Sequence, residues 1–169
     1  MARAPRLPQG GPSIFDADEQ TTPEEGPEAD SGRAGASTRS FIVEADGGSR
    51  GNPGPAAYGA LVRDAATGEV LDAEGMTLGV TTNNVAEYSA LVAGLEMARR
   101  LDPGAAIEVR MDSRLVVEQM AGRWKVKHPS MKPLFAAAQR LLPSRVSWTW
   151  ERRGHDKGAD ALVDAGLDG

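Results

Sequence analysis

Residues 41–64 read FIVEADGGSRGNPGPAAYGALVRD and decide the fold. The opening FIVEAD alternates as a strand does and runs into a turn rich in Gly and Pro. AAYGALVRD (56–64) predicts a second strand, and EVLDAEGMTL (69–78) predicts a third after the turn signal Ala-Thr-Gly. Strands joined by such short turns pair with one another in sequence, so this stretch predicts a three-stranded meander.

After this stretch the hydropathy period changes from that of a strand to that of a helix. An apolar stripe predicts a long helix from Asn84, with Asn83 or Asn84 as its cap; the stripe consists of Tyr88, Leu91, Val92, Leu95 and Ala98. The later patterns predict a strand at 106–112, a short helix from Ser113 to Gln119, a helix from Ser130 or Pro133 to Leu142, a strand at 145–151 and a helix at 157–167. The order βββαβααβα favours an α/β fold with a mixed five-stranded sheet, three antiparallel strands and then two parallel ones, and helices on both faces.

Residues 1–40 have a different composition from the rest of the chain. They contain five Pro and five Gly, few large apolar residues and an acidic set from Asp16 to Asp30. Such a segment cannot bury enough apolar surface to offset the entropy lost on ordering. We therefore predict a disordered acidic tail over 1–40 and one folded domain over 41–169.

The whole composition limits the classes of protein that fit. The 169 residues contain no Cys, which excludes disulfides, zinc–thiolate sites and thiol nucleophiles. No apolar run approaches the roughly 18 residues that a membrane span needs. The N-terminal MARAPRLPQGGP has no apolar core of the kind a secretory signal requires. These features predict a cytoplasmic protein without a membrane segment.

The net charge of −5 hides a local positive excess. Residues 114–157 carry ten Lys or Arg against three acids, Glu118, Glu151 and Asp156. Such a stretch is either an ordinary solvated surface or the electrostatic footprint of phosphate binding. The overall sign of the charge therefore does not exclude a nucleic-acid partner.

Two Asp residues close predicted strands, Asp46 the first and Asp112 the fourth. If those strands are parallel neighbours, both carboxylates lie at the same sheet edge, where open α/β sheets bind ligands. Glu87 lies in the first turn of the long predicted helix, and Asp160 lies near the start of the last. Each acid alone also fits an ordinary turn, cap or helix-start residue.

Four converging carboxylates would repel one another unless cations neutralised them. Sites made only of oxygen ligands suit Mg²⁺ or Mn²⁺. The four acids are therefore candidates for a divalent-metal site.

Five segments of the chain resemble type 1 ribonuclease H in order and spacing, across essentially all of 41–168. They are DGGSRGNPGPAAYGA (46–60), TTNNVAEYSAL (81–91), RMDSRLVVEQM (110–120), WKVKHP (124–129) and GADALVD (158–164). The chain has no room for the extra basic helix, or handle, that longer members insert near WKVK, so it is similar to the shorter branch. The resemblance implies a ribonuclease H-like fold and an endonuclease that cuts the RNA strand of RNA–DNA hybrids.

By the same resemblance, Asp46, Glu87, Asp112 and Asp160 are the carboxylates that bind two Mg²⁺ ions, with Mn²⁺ as a substitute. Asp46 would bridge the ions, with Glu87 and Asp112 on one and Asp160 on the other. One ion would activate water and the other would stabilise the leaving 3′ oxygen. The implied products carry a 5′ phosphate and a 3′ hydroxyl. The implied partner is the hybrid duplex, bound by a monomer.

The resemblance also implies the substrate contacts. Near the 2′-hydroxyls or base edges it places Gly47, Ser49, Asn52, Asn84 and Arg114, whereas the GNPG segment also fits a tight turn. Asn52 and Thr82 match positions that grip a DNA phosphate, and Asn83 is either a further contact or a helix cap.

Lys125 and Lys127 are expected phosphate contacts. Trp124 packs either on a sugar or in the core, and Trp148 and Trp150 are expected to be structural.

The loop ERRGHDKGAD departs from the family pattern. Many members have a His about ten residues before the last Asp, whereas here His155 precedes Asp160 by five residues and Arg153 by seven. The handle-less branch has an Arg at the position of Arg153, so we predict that Arg153 assists catalysis and that His155 flanks the last helix. His128 is expected on the surface.

Two other functions remain open. The first is a module of this fold that binds nucleic acid or protein without cutting it. Four acids that are not neutralised would hinder binding beside a phosphate track, which argues against it. The second is a DNA-cutting relative such as an integrase core, which shares acids but not the GNPGP, TTNN and WKVK segments.

Overall fold

The computed structural model describes residues 37–152 and Val163. The elements are β1 (Ser40–Ser49), β2 (Gly54–Asp64), β3 (Val70–Thr81), α1 (Asn83–Leu101), β4 (Ala106–Met111), α2 (Arg114–Met120), α3 (Lys132–Leu141) and β5 (Val146–Trp150). Types and order agree with the sequence prediction. The tail predicted over 1–40 lies outside the described residues as far as residue 36. The last predicted helix does too, except for Val163, which is helical.

The sheet has the strand order β3-β2-β1-β4-β5. β1 pairs antiparallel with β2, and β2 pairs antiparallel with β3. β4 pairs parallel with β1, and β5 pairs parallel with β4. The predicted mixed sheet of three antiparallel and two parallel strands is confirmed, and β1 lies at its centre.

α1 covers one face of the sheet with its apolar stripe. Tyr88, Leu91, Leu95 and Ala98 are fully buried, and Val92 is partly buried. Val43 and Val109, from the two central strands, belong to the same core. Packing of this face against the sheet supplies most of the stability of the 19-residue helix.

Two neighbouring glycines of β1 show what lies on each face. A Cβ on Gly47 would fall 2.2 Å from the Ala86 carbonyl carbon in α1, whereas one on Gly48 would lie 4.0 Å from Cγ1 of Val163. Because successive residues of a strand point to opposite faces, Val163 lies on the face away from α1. Helical residues therefore occur on both faces of the sheet.

The helix cap differs from the prediction. α1 begins at Asn83, and Thr82 is its N-cap, with the side chain accepting a hydrogen bond from the Val85 amide at 3.2 Å. The predicted caps, Asn83 and Asn84, are wrong, since the Thr82 hydroxyl occupies that role. Glu87 consequently lies in the second turn of α1 and not in the first, so an interaction with the helix N-terminus does not account for it.

The strands also run further than the hydropathy pattern predicts. β1 continues through Gly47 and Gly48 to Ser49, because its backbone pairing with β2 persists to Ala56. Ser113 is the N-cap of α2, as predicted. None of the helices within the described ranges is long and apolar enough to cross a membrane.

Candidate active site

The parallel pairing of β1 and β4 brings two carboxylates together. Ala45 and Met111 are partners in the register, so Asp46 and Asp112 are the next residue on each strand path. Asp46 is 1% exposed, and Asp112 is partly buried directly after β4. The two predicted strand-end acids thus lie at the same edge of the sheet, as expected for carboxyl ends of parallel strands.

Glu87 reaches the same edge from α1. Its side chain is buried, and its Oε1 accepts a hydrogen bond from the Gly47 amide at 2.9 Å. This contact is possible because Gly47 has no side chain, since a Cβ there would overlap the backbone of Ala86 and Glu87. Gly47 was predicted to contact the substrate. The structure gives it a packing role, and its amide is already bonded to Glu87.

Asp46, Glu87 and Asp112 form a compact acidic cluster. Each offers one carboxylate oxygen, and these atoms all lie within 4.8 Å of one another. Such closely spaced, largely buried carboxylates, with no His or Cys among them, fit a hard divalent cation such as Mg²⁺ or Mn²⁺. Asp160, the fourth predicted ligand, lies outside the described residues.

Three predicted substrate residues line one surface cavity of about 160 Å³. They are Asn52, Thr82 and Asn84. His128, Ser130 and Met131 line the same cavity. His128 is exposed, as predicted, and its Nδ1 accepts a hydrogen bond from the Ser130 amide at 3.2 Å. Polar side chains from the β1–β2 turn, the start of α1 and the segment before α3 thus line one open space.

Asn83 connects the β1–β2 turn to the start of α1. Its Oδ1 accepts from both the amide and the hydroxyl of Ser49, at 2.8 and 2.9 Å. The backbone amide of Asn83 donates to Oδ1 of Asn52 at 3.1 Å. Sequence reasoning treated Asn83 as a contact or a cap, and missed that it holds two other predicted substrate residues in place.

The Arg114 guanidinium lies near two tryptophan rings. Its guanidinium carbon is 5.7 Å from the ring centroid of Trp124 and 5.4 Å from that of Trp150. Trp124 is 44% exposed and Trp150 is 45% exposed. Core packing is therefore wrong for Trp124, because its ring reaches the surface; the Trp150 ring also reaches the surface, and its predicted structural role stays a prediction. Trp148, by contrast, packs partly buried against the core, as predicted.

A buried network of hydrogen bonds holds the basic segment WKVK (124–127), which follows α2. The Tyr88 hydroxyl donates to Oε1 of Gln119 at 2.6 Å, and Nε2 of Gln119 donates to the Lys125 carbonyl at 3.0 Å. Burial raises the pKa of the Tyr88 phenol, so the phenol stays protonated and keeps donating at neutral pH. Lys125 and Lys127 themselves are exposed, where the predicted phosphate contacts require them. Gln119 was missed, because nothing in the helix pattern distinguishes it from a surface residue.

Arg153 and His155, the two candidates in the last loop, lie outside the described residues. Their assignment stays a prediction from the sequence. The strand that leads to them ends at Trp150, next to Asp112, so the loop starts at the edge of the sheet that carries the acids.

Residues 44–166 match the family model described as reverse transcriptase-like. The bifunctional protein Rv2228c of Mycobacterium tuberculosis is 50% identical over 129 residues, which is 75% of this chain but 35% of that protein. The chain therefore spans about a third of the length of this relative.

Two further relatives are matched over most of their length. The ribonuclease H of Hydrogenovibrio crunogenus is 33% identical over 139 residues, covering 73% of this chain and 92% of that protein. The solved structure of LC11-RNase H1 in complex with an RNA/DNA hybrid has a TM-score of 0.71 and 38% identity, covering 76% of this chain and 96% of the other.

Proposed function

We propose that this chain, which belongs to the type 1 ribonuclease H family, is an endonuclease that hydrolyses the RNA strand of RNA–DNA hybrids. The observation that carries the proposal is the cluster of Asp46, Glu87 and Asp112 at the carboxyl ends of the two central parallel strands. The hybrid bound in the LC11-RNase H1 structure supports the choice of substrate.

The acidic cluster would hold divalent cations, with Asp160 as the fourth ligand by sequence. Bound there, two Mg²⁺ ions, or Mn²⁺ in their place, would supply an activated water and stabilise the leaving 3′ oxygen, giving a 5′ phosphate and a 3′ hydroxyl. Gly47 fixes the Glu87 carboxylate through its amide, so that this ligand is oriented before any cation arrives. Orientation in advance lowers the entropy lost on binding.

The surroundings of the cluster suit a duplex substrate. We assign a DNA-strand phosphate to the cavity lined by Asn52, Thr82 and Asn84. Arg114, Lys125 and Lys127 would neutralise further phosphates of the duplex. A protein that selects hybrids independently of sequence reads shape and the 2′-hydroxyl, and Ser49, Asn52 and Asn84 offer the hydrogen-bonding groups for it.

The direct experiment compares cleavage of matched RNA–DNA, RNA–RNA and DNA–DNA duplexes in Mg²⁺ and in Mn²⁺. We expect cutting of the RNA strand of the hybrid alone, with 5′ phosphate ends. Binding of the hybrid without cutting would favour the alternative of a silent binding module. Cutting of DNA–DNA at a similar rate would contradict hybrid specificity.

We further propose that the protein acts as a monomer in the cytoplasm. Light scattering after size exclusion would test the first point, and fractionation of cells would test the second. A stable dimer at micromolar concentration would overturn the monomer.

A further inference from the structure

Trp150, the last residue of β5, has no role in the proposed chemistry. Resting on the proposed function, we propose that Trp150 is a positioning residue that holds both Asp112 and Arg114 in their working places. Two contacts of the Trp150 side chain join the end of β5 to residues 111–114, the turn between β4 and α2.

The end of β5 fixes the backbone on both sides of the Asp112 Cα atom. The Glu151 amide donates to the Met111 carbonyl at 2.8 Å, which continues the parallel ladder. The ladder ends there, and the Trp150 indole N–H donates to the Asp112 carbonyl at 3.0 Å. A side chain thus supplies the hydrogen bond to the one residue of this turn that carries a cluster carboxylate.

The same indole ring also restrains Arg114. The guanidinium lies over Trp150 and Trp124 at distances within the range for cation–π attraction. Its Nε also donates to Glu118 at 3.4 Å, one helical turn further along α2. Arg114 is therefore held among two rings and a carboxylate, while the Arg114 side chain stays 58% exposed.

The exposure of the two rings argues against a purely structural role. Trp150 and Trp124 are each nearly half exposed, whereas Trp148, two residues earlier on the same strand and the same face, packs against the core. A large ring left at the surface contributes less to burial than Trp148 does. The Trp150 indole N–H, however, donates to the Asp112 carbonyl, and the face of the Trp150 ring contacts Arg114.

The two contacts can be separated by substitution. Trp150→Phe keeps a ring beneath Arg114 and removes the indole N–H, so it should weaken only the part of the site that depends on Asp112. Trp150→Leu removes both. Trp148→Phe is the matched control, since within residues 37–152 the Trp148 indole makes no hydrogen bond to the acidic cluster.

The measurement is Mn²⁺ binding by calorimetry without nucleic acid, together with hybrid binding in Ca²⁺ and the thermal melt of each variant. Removing a group that orients a metal ligand from outside typically costs 10–100-fold in metal affinity or activity. Since Trp150 acts on the backbone, we expect about 3- to 10-fold weaker Mn²⁺ binding in Trp150→Phe. Its hybrid affinity should stay within about twofold of the parent, whereas Trp150→Leu should lose in both measurements.

Each other result overturns the inference. Mn²⁺ affinity equal to that of the parent would show that the indole N–H does not position Asp112. Equal losses in Trp150→Phe and Trp148→Phe, or a Trp150→Phe that fails to fold, would make Trp150 a structural residue. If the parent binds Mn²⁺ yet cuts no hybrid, the proposed function fails on its own, and the positioning role is still decided by the binding data.

Discussion

At the scale of single residues, Gly47 joins the strand that carries Asp46 to the helix that carries Glu87. The absent side chain lets β1 approach the backbone of α1, and the amide of the same residue bonds the Glu87 carboxylate. Packing and site geometry therefore depend on the same residue, Gly47.

Gly47→Ala should consequently damage both stability and activity. The added Cβ would lie 2.2 Å from the Ala86 carbonyl carbon, so backbone has to move. Overpacking of this kind costs about 1–3 kcal/mol of unfolding free energy, measured by urea denaturation. Gly48→Ala is the control, because its Cβ meets only ordinary contact with Val163. Equal stability of the two variants would contradict the close approach.

The last loop supplies a second residue-scale prediction. Arginine does not give up its proton but can hold a phosphate or a water through forked hydrogen bonds, whereas histidine transfers protons near neutral pH. Since Arg153 has the spacing of the handle-less branch, Arg153→Ala should lower turnover at least about tenfold and keep the metal requirement. His155→Ala should change turnover by less than about threefold. Steady-state kinetics of hybrid cleavage measure both effects. A larger loss of turnover in His155→Ala than in Arg153→Ala would assign the role to His155.

Some site residues could be predicted from the sequence and others could not. Asp46 and Asp112 could be predicted from the sequence, because strand-end acids of parallel neighbours meet at one edge. Trp150 and Gln119 were not, because their roles are contacts between elements far apart in sequence, which leave no local pattern.

At the scale of elements, the handle-less chain holds its basic segment through the buried Gln119 network. Tyr88 on α1 and Lys125 after α2 are both bonded to this one side chain. Because Tyr88 follows Glu87, the network also ties the basic segment to the helix that carries a cluster acid.

Gln119→Leu should lower stability and weaken hybrid binding together. The variant leaves the buried Tyr88 hydroxyl without its acceptor, which costs about 1–3 kcal/mol, and it releases the Lys125 carbonyl. Tyr88→Phe is the control, because it keeps the bond from Gln119 to Lys125. We expect a raised KM for the hybrid in Gln119→Leu alone, with thermal melts of both variants alongside. A KM raised equally in Tyr88→Phe would show that lost stability, and not the lost bond to the Lys125 carbonyl, is the cause.

The kinds and order of the described elements were predictable, since hydropathy periods of two and 3.6 are distinct along 41–151. Their ends were not. β1 runs on through glycines because pairing with β2 continues, and Thr82 caps α1 while Asn83 bonds to Ser49. Both outcomes depend on a neighbouring element and not on the local residue pattern.

At the scale of the whole molecule, the sign of the charge differs from one part of the chain to another. The chain carries a net charge of −5, yet Arg114, Lys125 and Lys127 are exposed. Cations drawn to the cluster would reduce the repulsion between it and a phosphate backbone. The arrangement would allow an acidic protein to act on the proposed acidic substrate.

The most direct test of the account is the rate at which Asp112→Asn cuts a hybrid labelled on its RNA strand, at saturating Mg²⁺. Asp72→Asn is the control, because Asp72 lies on β3 at the far edge of the sheet. Metal-bound charge stabilisation is worth several kcal/mol, so Asp112→Asn should be slower by about a thousandfold or more, with its fold and hybrid binding kept. Asp72→Asn should cut at the parent rate, and EDTA should abolish cutting reversibly. Cleavage by Asp112→Asn within about tenfold of the parent would contradict the assignment of the acidic cluster as the catalytic metal site.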